Sequence, residues 1–589
     1  MSRLPSLQTV LNSTIKTISK FPLETFVAVL GTIFAIIYND LPYDYDASRE
    51  FYTKGLLSCS LCLMLFLSIS LYFQASRKGN VIRFLTSIVL GSLVTGFVFS
   101  FKENITSAEI QQYFALSIVL HLLVSFAGFL PIKYKQEEFW EFNKQLFIRI
   151  LTSGLYTVVL YCGLALAVLA VEKLFKVEFY DHIYFYIFFT IAGIFNTLFF
   201  LSGVPETTNT EKPLQLNYPK GLKNFTQFVL LPLISLYLVI LICYEAKILV
   251  TQSLPVGWVS YLVLIFAFFG ILSFLLVHPI ASQSSNLWMK TFNRWFYFLL
   301  IPLLILLFWA IFYRINLYGF THERYYVLLL CVWLAVVVGY FLVIKHPKIK
   351  FIPISMCLAG LFSIIGPQSA DSVSKRSQLS RFESFMQQSS EKKNLTFEEE
   401  KDLSSIVTFL KDNYGTESMV PYAKTKLEAL LKRDKRPSDY EIMEALGYEY
   451  RYYYEKKEEN NTLYYNYYEN ESGSIENIHD YDISLMLSSP NEFKCTNCTK
   501  IDNKSYSIKS YTKDYGVDLQ INDDLVPLEI KPFIYKNFKH NRPSDEKVTQ
   551  TITTPKYNIL ITYIVVTVGY KDTKPIVDNY QIKVMIGIK

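Results

Sequence analysis

The sequence predicts a membrane all-α polytopic bundle of about eleven transmembrane helices, followed by a small extracytoplasmic α+β module. Three observations predict it. Nearly uninterrupted apolar stretches fill the first 366 of 589 residues, each close to the ~20 residues that cross a bilayer. No comparable stretch occurs beyond Gly366. The charge balance also changes there, from about +9 over residues 1–366 to about −3 over residues 367–589.

The apolar stretches run 22–39, 55–74, 81–101, 114–132, 147–171, 183–203, 226–249, 257–279, 295–313, 325–345 and 351–366. They are helices because lipid offers no partner for a bare amide, and barrel strands would be shorter and alternate in polarity. From Leu56 to Phe73 there is no charged residue. Gly91, Gly96, Gly154, Pro232 and Pro302 are compatible with spans, where neighbouring helices re-satisfy freed backbone groups and small residues allow close approach. Residues 1–21 form a basic segment in which Leu4, Leu7, Leu11, Ile15 and Ile18 recur at helical spacing, as in a helix lying on a membrane surface; a frayed basic tail is the alternative. No small-residue cleavage site follows the first span, so no cleaved leader is expected.

Orientation follows from the loops. Those on the N-terminal side carry 18 Lys and Arg, the opposite loops 8. The positive-inside rule places the rich side in the cytoplasm, and an odd number of spans sends the C-terminal module outside. The step that decides parity is 351–366, which holds Pro353 and measures only ~24 Å at helical rise; a re-entrant segment there would reverse the sidedness of the tail.

After the membrane domain (22–366), residues 367–395 read as a polar helical stalk, 396–447 as a small helical subdomain and 448–589 as a β-rich subdomain. Thr396 with Glu399, and Ser438 with Glu441, are capping-box signatures, and Leu403, Ile406, Val407 and Leu410 give a helical stripe. Tyr448–Tyr454 and Thr462–Tyr468 read as a hairpin, with later strands near 482–488, 505–511, 516–521, 526–530, 558–569 and 580–588. The abundant tyrosines suit strands with one wet edge, and carbohydrate stacking is the sharper alternative.

Six cysteines sit inside apolar stretches as small hydrophobes. Cys495 and Cys498 are expected to close a small disulfide loop, since further zinc ligands are lacking nearby and a thioredoxin-like role would require a βαβ context. No metal site and no cofactor is expected: the phosphate-loop, nucleophile-elbow and zinc-protease signatures are all missing. The mildly acidic tail argues against nucleic acid. The expected partners are the lipid bilayer and, through the C-terminal module, envelope proteins or glycans.

Four places merit chemical attention. His121 is the one histidine deep in a span, either a functional group or a neutral ring bonded to a neighbouring helix. Arg314, Asn316, Tyr318, Thr321, Glu323 and Arg324 join the ninth and tenth stretches; the arginines can hold a phosphate or carboxylate, or Thr321 caps the next helix and the set pins the hairpin. Asp40, Asp44 and Asp46 form an acidic loop, with Asp44 and Asp46 as weak catalytic candidates, and Asp480 and Asp482 repeat their spacing. The Cys495–Cys498 pair is the fourth.

With its Tyr-Gly-x-Thr-x-x-Arg core at 318–324, the Trp333-containing stretch after it and the Gly-Pro-x-Ser-Ala exit at 366–370, the chain resembles the bacterial inner-membrane proteins grouped as domain of unknown function 4153. The resemblance implies a bacterial envelope location and no established activity. Three functions follow for consideration: a non-enzymatic transport or envelope-organising protein, a membrane-embedded transferase using a lipid-linked donor, with Asp44 and Asp46 as metal ligand and base, and a periplasmic sensor. The first is favoured by many spans, few buried charges and an outer module. The transferase analogy is weakened by a first outer loop shorter than such enzymes carry, and the sensor lacks a cytoplasmic domain.

Overall fold

The computed structural model describes residues 7–42, 46–206, 216–251, 258–279, 287–391, 395–423, 425–434, 436–452, 463–467, 478–538, 547–571 and 574–589. The chain forms two compact units, Met1–Tyr453 and Tyr454–Lys589.

The first unit is helical. Among the described residues nine helices are long and apolar enough to cross a membrane: Pro22–Asp40, Ser48–Ser76, Asn80–Phe99, Ser107–Phe129, Gln136–Phe175, Ile183–Ser202, Lys220–Thr251, Trp295–Tyr318 and His322–Val343. Two of the eleven expected stretches fall on shorter apolar helices, Leu262–Leu276 and Phe351–Ile364. Their outward surfaces are oily. Leu151, Leu155, Val158, Val159 and Leu166 are all exposed along one 40-residue helix, a surface that water would not tolerate and lipid requires. Preceding the first span, the Leu7–Lys20 helix leaves Leu11, Ile15 and Ile18 exposed.

Phe351–Ile364 has 14 residues, about 21 Å at helical rise, against a hydrocarbon core of ~30 Å. It nevertheless reaches opposite ends of its neighbours. At its start Phe351 stacks on Tyr340, in the last turn of His322–Val343, at 3.9 Å, and the Lys350 ammonium donates to the Phe129 carbonyl at 2.6 Å. Beyond its end the Gln368 carbonyl accepts from the Tyr325 hydroxyl, in the first turn of the same neighbour, at 2.7 Å. Trp333 Nε1 donates to Ser355 Oγ between these ends at 3.0 Å. Gly360 permits the close packing: a Cβ there would lie 2.4 Å from Val119 Cγ2.

The same unit continues into Ala370–Glu391, Phe397–Tyr414, Thr425–Arg433 and Asp439–Leu446. Thr396 and Ser438 make reciprocal capping boxes with Glu399 and Glu441. Phe382, Leu403, Ile406, Leu410, Met443 and Leu446 form the core of this helical part. Residues 448–452 carry no strand. Tyr448 and Tyr450 pack against the helical core instead, Tyr450 at 4.6 Å from the Tyr440 ring, so the first half of the expected hairpin is absent there; its turn lies outside the described residues.

The second unit holds two antiparallel sheets. One contains β1 (Leu463–Asn466), β2 (Ile483–Ser488), β7 (Thr549–Thr553), β8 (Tyr557–Lys571) and β9 (Lys574–Ile588), ordered β1-β8-β9-β2 with β7 also on β8. The other is the meander β3 (Lys494–Ile501), β4 (Lys504–Lys513), β5 (Gly516–Ile521) and β6 (Asp524–Leu528). Alternate residues such as Ile508, Leu519, Ile521, Ile559, Ile561 and Val584 fill a shared core, which the Ile530–Asn537 helix caps by stacking Phe533 on Tyr563 at 5.0 Å.

Candidate functional site

The turn between Trp295–Tyr318 and His322–Val343 is where four of the sequence candidates meet, and its conformation follows from local chemistry. Gly319 takes φ +69°, which reverses the chain after Tyr318. Thr321 then caps the next helix by accepting from the Arg324 amide at 3.5 Å.

What holds this turn is the Ala370–Glu391 helix. Gln378 Nε2 donates to the carbonyls of Tyr318 at 3.0 Å and Phe320 at 2.8 Å. Arg381 Nη1 donates to Tyr318 O at 2.6 Å and Nη2 to Leu317 O at 3.1 Å. The Phe320 amide donates to Ser377 Oγ at 2.9 Å. From within the hairpin, Arg324 Nη1 donates to the carbonyls of Tyr318 and Gly319, each at 3.0 Å, and its guanidinium lies 5.2 Å from the centre of the Tyr318 ring. The last carbonyls of a helix are otherwise orphans carrying partial negative charge, so cationic donors there are doubly favourable.

Beside this clamp lies a second junction. His322 is buried, with Nε2 3.5 Å from Asp371 Oδ1 and 3.2 Å from the Tyr414 hydroxyl, which donates to the Asp371 carbonyl at 3.1 Å. Burial pushes the Asp371 carboxyl up, but hydrogen bonds from His322 and Tyr414 and the nearby Lys375 charge leave it below its ordinary value. The Tyr414 phenol is raised by burial and by Asp371. Arg381 faces Asp402 at 3.6 Å; burial lowers the guanidinium and raises the carboxyl from their usual values. A third contact ties the helical part to another membrane hairpin: Asn413 accepts from the Ala108 amide at 3.2 Å through Oδ1, and from Lys102 Nζ at 2.9 Å through its carbonyl.

The sequence candidates therefore divide. Tyr318, Thr321, Glu323 and Arg324 come together, with the Thr321 hydroxyl 3.4 Å from Glu323 Oε2. Arg314 lies close enough to Arg324 for charge repulsion, yet among the described residues it makes no hydrogen bond or ion pair, and Asn316 is exposed. This division makes a prediction. Arg324→Ala should cost about 1.5–3 kcal/mol by removing the charged hydrogen bonds to the Tyr318 and Gly319 carbonyls, whereas Arg314→Ala should stay within about 0.5 kcal/mol. Thermal unfolding of the purified variants in one detergent checks both values.

His121 is exposed on its helix, and its Nδ1 donates to the Ser117 carbonyl of the preceding turn at 2.7 Å, so the bond stays within one helix. Asp44 lies outside the described residues. Asp46 opens the Asp46–Ser76 helix, but its side chain lies outside them too. Asp40 instead accepts from Tyr186 at 2.6 Å and from His182 at 3.0 Å. Cys495 and Cys498 are joined by a disulfide in β3, at a bulge in its pairing with β4. Among the described residues no three His, Cys, Asp or Glu side chains gather as a metal would need.

Besides the clamp residues of Ala370–Glu391, two features give little or no sign in the sequence. Glu24 is fully buried in the first span and accepts from Ser70 Oγ; its second oxygen and the Nε of nearby Arg83 are buried without a hydrogen bond. The second is a cleft of about 220 Å³ where Tyr38, Arg49 and Glu50 meet Glu103, Asn104 and Arg436. Glu24 interrupts an otherwise apolar run, which is a signal; the cleft joins residues too distant in the chain to leave one.

Residues 25–393 match the family described as Domain of unknown function (DUF4153). No curated protein and no solved structure matches the chain.

Proposed function

The chain belongs to the DUF4153 family, and on that premise we propose that it is a non-enzymatic envelope-organising protein of the bacterial inner membrane, with its N-terminus cytoplasmic and its C-terminal module outside. The observation that carries this reading is the clamp. Ser377, Gln378 and Arg381 engage backbone groups of a membrane turn, so the extramembrane helices are fixed to the bundle and not merely tethered. A firm mount for outward helices is what an organiser needs. Envelope proteins or glycans are the partners that the module would meet.

Sidedness is supported by the loop charges, 18 against 8. The Cys495–Cys498 disulfide suits an oxidising compartment. A short last helix bonded to both ends of its neighbour suits an odd number of crossings.

Cysteine labelling in intact cells tests the arrangement. Asp523 sits exposed in the turn between β5 and β6. Asp523→Cys should react with a membrane-impermeant maleimide without permeabilisation, and Lys133→Cys only after it; the reverse pattern would overturn the sidedness. Deletion of 396–589 tests the role. The truncated chain should enter the membrane yet fail to restore envelope integrity to a null strain, and full restoration would sink the organising function.

A further inference from the structure

The cleft lies where two membrane helices, the loop between two others and the helical subdomain converge. Tyr38 ends the first span, Arg49 and Glu50 begin the second, Glu103 and Asn104 lie in the loop before Ser107, and Arg436 comes from the link between Thr425–Arg433 and Asp439–Leu446. Two of its charged groups are held in place. Arg49 donates to the Leu41 carbonyl at 2.8 Å and lies 4.4 Å from the Tyr38 ring centre. Glu50 is fixed by Lys54, only 4 % exposed, which sits 2.5 Å from the carboxylate and donates to the Phe101 carbonyl at 2.5 Å.

We infer that this cleft binds a phosphoethanolamine group, a phosphate joined to a primary ammonium, as in the headgroup of phosphatidylethanolamine. The lining carries two guanidiniums and two carboxylates. A simple anion would meet Glu103 and the Lys54-paired Glu50, and a simple cation would meet Arg49 and Arg436; a zwitterion offers each pair its opposite charge. Guanidinium matches phosphate through paired N–H donors, and carboxylates accept from the three N–H bonds of a primary ammonium. A quaternary choline has no such donors and calls for an aromatic cage, whereas the one ring in this lining already faces Arg49. A volume of about 220 Å³ falls below the ~300–1,000 Å³ of sites for drug-sized ligands and suits a headgroup. Nearby Phe51 and Phe99 are exposed and in edge contact at 5.8 Å, so an apolar surface is at hand for acyl chains. The inference stands apart from the proposed function, because it does not depend on which face is outside.

Titration calorimetry on the full-length protein in detergent tests it with dihexanoyl phosphatidylethanolamine, phosphatidylcholine and phosphatidylglycerol. The ethanolamine lipid should bind about tenfold tighter than either other, and Arg436→Gln and Glu103→Gln, both at exposed positions, should each weaken it about tenfold with unchanged unfolding temperature. Free phosphoethanolamine separates the sources. Equal affinity means that the headgroup suffices and a soluble ligand is accepted; much weaker binding means that the bilayer lipid is the ligand, and either supports the assignment. Equal binding of the three lipids, no binding, or two variants with wild-type affinity would overturn it.

Discussion

Phe382→Ala should unfold the helical subdomain while leaving the membrane helices intact. Phe382 is completely buried among Leu403, Ile406, Leu410 and Met443, and removal of a buried phenyl ring costs about 3–5 kcal/mol. Ser377, Gln378 and Arg381 reach from this helix to the membrane turn, and Phe382, one turn after Gln378, enters the subdomain core. Losing the ring removes none of the hydrogen bonds to the turn. Hydrogen exchange measured on the detergent-solubilised chain should show amides of 397–446 exchanging faster by about a hundred- to several-thousandfold, at ~1.4 kcal/mol per decade. Amides within His322–Val343 should keep their protection. Unchanged exchange in 397–446 would show that the ring does not support this core.

Gly319→Val should release the clamp from the other side. At φ +69° a β-branched residue is strained by about 1–3 kcal/mol. Its Cβ would also lie 2.8 Å from Arg381 Cδ and 2.9 Å from Ser377 Oγ, and overpacking of this kind costs about 1–3 kcal/mol. The two penalties share one relaxation, so about 2–5 kcal/mol is expected rather than a strict sum. The remedy available to the protein is to move Arg381 and Gln378 away, which strips the Tyr318 carbonyl of two donors. Protection should fall at 318–324 and along 370–381, with a lower unfolding temperature. A variant that melts like the wild type would mean that the turn is not gripped as described.

The features legible in the sequence are the local ones. Apolar length announces a span whatever packs against it, so the long stretches stand out, and so do the caps at Thr321, Thr396 and Ser438, which need only their own next turn. The hairpin arginines stand out as a cluster, and pinning of the hairpin is one of the two uses that the sequence offers them, the one Arg324 takes. The groups completing the clamp, Ser377, Gln378 and Arg381, lie beyond another hairpin, in a stretch whose sequence suggests only a stalk. The Tyr448–Tyr454 stretch reads as a strand because tyrosine favours strands, yet Tyr450 finds Tyr440 and Tyr448 finds the helical core, and packing overrides propensity. β3 leaves no strand signal for the opposite reason: Lys-Cys-Thr-Asn-Cys-Thr-Lys has no apolar alternation, because both its faces are largely exposed.

The 14-residue helix at Phe351–Ile364 leaves Leu358 and Phe362 exposed, so part of it faces lipid while falling about 9 Å short of the ~30 Å hydrocarbon thickness. Hydrophobic mismatch of this size is relieved by drawing the two leaflets together beside that helix, at a fraction of a kcal/mol per ångström. Where this helix crosses the membrane, the bilayer would therefore be thinned along this flank. Lipids with short or unsaturated tails should enrich there, and a second mismatched protein would gain by sharing the same thinned annulus.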